Sequence, residues 1–120
     1  MSNITEVKRV RNSARMSKVL RKRLKKLRKC TSPLRERFLE DLRFHRFREA
    51  TISKYSDAVL TFFAYTWKKA KDVTDDDIRN YLRHLEFKLN WSSSTLMIHY
   101  SALKFFFESS YPRDFKTLKL

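Results

Sequence analysis

The sequence predicts an all-α fold, and three observations carry that expectation. Gly is absent from all 120 residues, and Pro occurs only as Pro33 and Pro112. Gly is the residue that most readily takes the positive φ of tight hairpin turns, so a hairpin-rich β fold is disfavoured. Apolar residues recur at helical spacing in three consecutive segments, ATISKYSDAVLTFFAYTW, TDDDIRNYLRHLEFKL and SSSTLMIHYSALKFFF. Polar helix-start residues stand at the breaks between them. A chain of this length has room for one domain with a modest core.

Residues 4–29 have the pattern of a single helix. Val7, Val10, Ala14, Leu20, Leu24 and Leu27 fall near one face, and basic residues fill the rest. Residues 1–30 carry 12 Lys/Arg against Glu6 alone, whereas residues 31–120 carry 16 against 12 acids. Like charges at that density repel, so this basic arm is expected to be helical or disordered and to order fully on an anionic partner. Thr31-Ser32-Pro33 ends it. Ser32 can cap a helix and Pro33 suits a first turn.

In the helix that follows, Leu34, Phe38, Leu42 and His45 share a face. Ile52, Tyr55, Val59, Phe62 and Phe63 make the apolar stripe of the next one, and Lys68 to Asp72 connects onward. Thr74 is a good N-cap. Asp75, Asp76 and Asp77 set negative charge against the helix start, and Asp77 forms a capping-box pair with Thr74. Metal ligands must converge on one point, which adjacent residues at a helix start do not, so the triple Asp is read as a cap. Ile78, Tyr81, Leu82 and Leu85 form this helix's buried stripe. After the break at Asn90 to Ser92, Ser92 caps the last long helix. Leu96, Tyr100, Leu103 and Phe107 face inward there, and Phe105 or Phe106 is left over for a neighbouring surface. Tyr111-Pro112 ends the helix.

The net charge of +15, concentrated in the first 30 residues, points to an anionic partner, nucleic acid first. A solvated basic tail and an Arg-rich, acid-poor presequence are the blander readings of that run. Cys30 is the sole cysteine, so no internal disulfide is expected. Nothing in the sequence supplies it with a base in a pocket. No stretch approaches the roughly 20 apolar residues of a membrane span, and the N-terminus lacks the apolar core of a secretory signal. His45, His84 and His99 have no metal-ligand spacing with each other or with Cys30.

Thr51 and Tyr55, then Val73-Thr74 leading into Ile78, Tyr81-Leu82 and Leu85, then Ser94-Thr95 leading into Ser101-Ala102-Leu103-Lys104-Phe105-Phe106, make an ordered series. Ser32-Pro33-Leu34-Arg35 opens it and Thr117-Leu118-Lys119-Leu120 closes it. The series resembles the N-terminal core-binding domain of tyrosine recombinases, the phage-integrase class, and is most like the integrases associated with insertion elements. The resemblance implies a four-helix SAM-like core-binding bundle over residues 31–112, preceded by the basic arm at 1–30. Residues 113–120 would begin a linker toward a catalytic domain. In the family that domain supplies two Arg and a His that hold the scissile phosphate, and a Tyr nucleophile. The chain ends where that domain would begin, so no catalytic residue, cofactor or metal ligand is expected within it. An intact recombinase that cuts and rejoins DNA is the alternative. His45-Arg46-Phe47-Arg48 has the His-x-x-Arg spacing of the family's catalytic motif. That motif lies far downstream in the family, so the match here is read as chance. Family members usually carry a Gly and then a capping Ser where Arg46 and Arg48 stand, so the turn between the first two core helices is expected to be built differently.

The resemblance further implies that residues 51–66 and 93–107 face the major groove of double-stranded DNA, as one half of a clamp. The expected DNA-binding residues are Arg48, Thr51, Ser53, Lys54, Ser93, Ser94, Thr95, His99 and Lys104. The hydroxyls would donate to phosphate beside the free N–H groups of each helix start. Helix capping alone is the alternative for Ser93 to Thr95, and relatives often carry a basic residue where Ser93 stands. Arg15, Lys18, Arg21, Lys22, Arg23, Lys25, Lys26, Arg28 and Lys29 of the arm would add phosphate contacts without sequence preference. The implied partners are duplex DNA and other recombinase protomers on it, with no membrane and no small-molecule substrate. The implied setting is the prokaryotic cytoplasm and a mobile element. The competing reading is a small basic helical adaptor that binds RNA, an acidic protein or an anionic membrane surface.

Overall fold

The computed structural model describes residues 17–119. The part of the arm containing Val7, Val10, Ala14 and Arg15 lies outside the described residues. Within them the chain forms five α-helices: α1 (Lys18–Lys29), α2 (Pro33–Phe44), α3 (Glu49–Thr66), α4 (Asp75–Arg83) and α5 (Ser93–Phe105). π-helical turns continue α4 through His84–Lys88 and α5 through Phe106–Ser110. Short 3-10 turns occupy Ala70–Asp72 and Lys116–Lys119. No strand occurs among the described residues, and the fold is an all-α SAM-like domain.

Helix starts follow from local chemistry. Ser17, Ser32, Thr74 and Ser92 each accept a backbone N–H three residues on, at 3.1, 3.1, 3.2 and 3.3 Å. The Thr74 N–H donates back to Asp77 at 2.9 Å, which completes the capping box. Such caps contribute about 1 kcal/mol each.

The turn after α2 is built as the glycine-free sequence requires. Arg46 takes φ 62°, in the left-handed region where glycine is normally preferred. The Phe47 N–H reaches the Leu42 carbonyl at 3.1 Å and the Arg46 N–H reaches that of Arg43 at 2.9 Å. These two bonds are those of a Schellman cap, with arginine in the position usually held by glycine. Arg48 then occupies the N-cap of α3 and offers it no side-chain cap bond.

The core of α2 to α5 is rich in edge-to-face aromatic pairs. Phe38 meets Phe106 at 5.3 Å, Phe62 meets Tyr81 at 5.2 Å, and Phe107 meets Phe115 at 5.0 Å. The π-turn decides how the run of Phe is used. The Tyr111 N–H bonds five residues back to Phe106, at 2.8 Å, so the backbone turns more widely than an α-helix. Phe106 and Phe107 both enter the core, and Phe105 packs on Phe38, His45 and Phe47. None of these three phenylalanines is left over for a neighbouring surface, contrary to the expectation from a regular α-helix.

Two segments differ from expectation. The described part of the arm, α1, has its partner inside the chain. Leu20 and Leu24 are buried against Ala64, with Leu27, Leu60 and Tyr65 around them. Arg28 pairs with Asp57 at 2.6 Å, and the Arg23 guanidinium lies 4.9 Å from the centre of the Trp67 ring. Burial of the leucines and these charge contacts offset the repulsion that argued for fraying. The second segment is 113–119, expected to start a linker. Phe115 and Leu118 are buried in the main core, and the Thr117 N–H donates to Asp75 at 2.9 Å. Arg113 clamps the α3–α4 connection by donating to the carbonyls of Ala70, Lys71 and Val73 at 2.8, 3.2 and 2.9 Å. The sequence shows the apolar residues of this segment but not the surface that receives them.

Candidate nucleic-acid interface

α3 is the central helix. α1 covers it through Asp57, Leu60 and Ala64, while α5 and its π-turn meet it through Phe62 and Phe63. Its accessible part is therefore its N-terminal turns, where Ser53 and Lys54 are exposed, Thr51 is half-buried and Arg48 is exposed just before them. The groups expected over 51–66 narrow to this end because the rest of the helix is enclosed by its neighbours. With no capping side chain on Arg48, the first N–H groups of α3 also lack a partner from the N-cap.

At the start of α5, capping and exposure separate cleanly. Ser92 is the cap, and its hydroxyl also lies 3.1 Å from that of Thr95, so Thr95 is engaged within the chain. Ser93 and Ser94 are exposed. Lys104 is half-buried three turns further along.

His99 does not belong with these residues. It is 8% exposed and bonded to the Tyr81 hydroxyl through Nδ1 at 2.8 Å, with the Trp91 ring 5.2 Å away. It stands three residues after Leu96 and four before Leu103, both inward, and that spacing places it on the core side. Burial lowers its pKa from 6.5 to about 4, with the Asp57 charge pulling the other way. Burial likewise raises the Tyr81 hydroxyl far above its usual range, with Asp57 adding to the effect. The pair is thus a neutral hydrogen bond inside the core.

α1 concentrates cations on the side away from its leucines. Lys18, Lys22, Lys25 and Lys29 fall opposite Leu20, Leu24 and Leu27 at helical spacing, Arg21 and Lys26 flank them, and all six are exposed. None of these six forms an ion pair among the described residues. Arg23 and Arg28, expected in the same role, are instead turned toward Trp67 and Asp57.

The His-x-x-Arg spacing at 45–48 spans the turn between α2 and α3. The His45 ring packs edge-on to Phe105 at 5.2 Å. Phe44 and Arg46, beside Arg48, are exposed as well; the alternation of ring and cation through 43–48 is the sequence signal for them. Among the described residues no group of His, Cys, Asp or Glu is placed to hold a metal ion, and no helix is long and apolar enough to cross a membrane.

Residues 34–117 match the family described as phage integrase, N-terminal SAM-like domain. The chain belongs to this family, whose full-length members are recombinases. No curated protein and no solved structure matches it significantly.

Proposed function

We propose that the chain is a duplex-DNA-binding module of a tyrosine-type site-specific recombinase, serving DNA integration and recombination as the half of a clamp that a catalytic domain completes. The cationic face of α1, which forms no ion pair among the described residues, carries this reading. Six exposed cations on one docked helix form a fixed basic strip, and such a strip attracts a polyanion and releases its counterions. Ser53, Lys54, Ser93 and Ser94, exposed on the first turns of α3 and α5, supply hydroxyl and ammonium donors for phosphate and base edges. Within this reading, α1 acts together with the core-binding domain expected over residues 31–112, and Arg15, which lies outside the described residues, is assigned the same role as the α1 cations.

The membrane-surface alternative needs the apolar side of α1 free to enter lipid. That side is spent on Ala64 and Leu60, which weighs against it.

The test is fluorescence anisotropy of the full chain on duplex DNA across a salt series, with structured RNA and anionic vesicles alongside. Six neutralised phosphates give a log–log salt slope of about −5. The Lys22→Ala/Lys25→Ala pair should flatten it by about 2. Lack of duplex binding at low salt, or equal affinity for all three polyanions, would sink the proposal.

A further inference from the structure

The turn between α2 and α3 carries the most exposed large apolar side chain in the described structure. Phe44 is 83% exposed at the end of α2. Its surroundings are cationic: Arg43, Arg46 and Arg48 are all exposed. Arg43 makes a long ion pair with Glu49, at 3.9 Å, whereas Arg46 and Arg48 have no ion pair among the described residues.

The turn holds these side chains out on a rigid base. The rings between them are anchored: His45 and Phe47 meet Phe105 edge-on at 5.2 and 5.5 Å, and Phe47 also packs on Tyr55 at 5.5 Å. Phe44, Arg46 and Arg48 alternate with these anchors. Two local rules are broken along the same stretch. Arg46 sits in the left-handed region that glycine would occupy without strain, and Arg48 holds an N-cap to which it gives no bond.

We propose that this turn is a second DNA contact, in which Arg46 and Arg48 enter the minor groove and Phe44 wedges against a base step and bends the duplex. This rests on the DNA-binding reading above and adds a site and a deformation to it. The chemistry is complementary. A narrow minor groove has an enhanced negative potential that draws arginine, and apolar side chains inserted beside such cations partly unstack a step and kink the helix toward the major groove. The Phe44 ring, whose ring contact among the described residues is the edge of His45 at 5.6 Å, leaves most of its surface free to cover a base.

The experiment uses the full chain and a duplex labelled at its two ends for energy transfer, with binding followed separately by anisotropy. Wild type should shorten the end-to-end distance on binding. Phe44→Ala should bind about tenfold more weakly, the size of one lost stacking contact, and leave the duplex straight. Phe44→Leu, which keeps an apolar wedge, should recover part of the bend. A Phe44→Ala protein that bends DNA as wild type does, or a wild type that binds without bending, overturns the wedge while leaving DNA binding intact. If no protein binds duplex at all, the DNA-binding reading falls and the wedge falls with it. Phe44 lies outside the core, so an unchanged helical melting curve for Phe44→Ala will show that the fold is kept.

Discussion

Acidification from about pH 7.5 to about pH 5 should destabilise the protein through His99. In the unfolded chain this histidine takes a proton near its ordinary value of 6.5; in the folded chain burial holds it to about 4. Between those values the unfolded state binds a proton that the native state does not, so stability falls as pH falls. Above 6.5 the effect is absent, and below about 4 it has reached its full size. A gap of about 2.5 units corresponds to about 3 kcal/mol in full, of which about 2 kcal/mol is lost by pH 5. That is a large share of the stability of a small domain. His84, also lowered by burial and by Lys88, acts in the same direction. The assay is urea unfolding followed by helical circular dichroism at stepped pH, for wild type and His99→Gln. The variant loses the Tyr81 partner geometry and starts less stable, but its decline between pH 7 and 5 should be about 2 kcal/mol shallower. Parallel declines for the two proteins, or a His99 ring resonance that titrates near 6.5 in the folded state, would refute the reasoning.

Two further outcomes follow from local geometry. Thr74→Ala removes one half of the capping box with Asp77 and should cost about 1 kcal/mol, read as a lower urea midpoint with an unchanged slope; an unchanged midpoint would show that Lys68, bonded to Asp77 at 2.9 Å, holds this helix start alone. Arg46→Gly relieves a left-handed arginine and should raise stability by roughly 1 kcal/mol while weakening duplex binding, whereas Trp67→Gly, at φ 53°, should bring no such gain because the Trp67 ring carries Arg23. Equal stability and equal binding for Arg46→Gly would remove both the strain and the contact assigned to that residue.

The sequence by itself determined what is local. The caps at Ser32, Thr74 and Ser92 follow from one side chain and the backbone three residues on, so they are readable without the rest of the chain. The stripes through Ile52, Val59 and Phe62, and through Ile78, Tyr81 and Leu85, follow from helical periodicity alone. Only the tertiary structure decided which surface receives each stripe. Leu20 and Leu24 look like the apolar side of a free basic helix until Ala64 is seen beneath them. His99 looks like a polar group near a helix start until Tyr81, 18 residues away, supplies its hydrogen bond. The three phenylalanines at 105–107 cannot all face one side of an α-helix, and the core they enter stabilises the wider turn that lets them. Local preference fixes where helices begin because its donors and acceptors are neighbours in sequence; burial depends on residues brought together by the fold, which no short stretch of sequence contains.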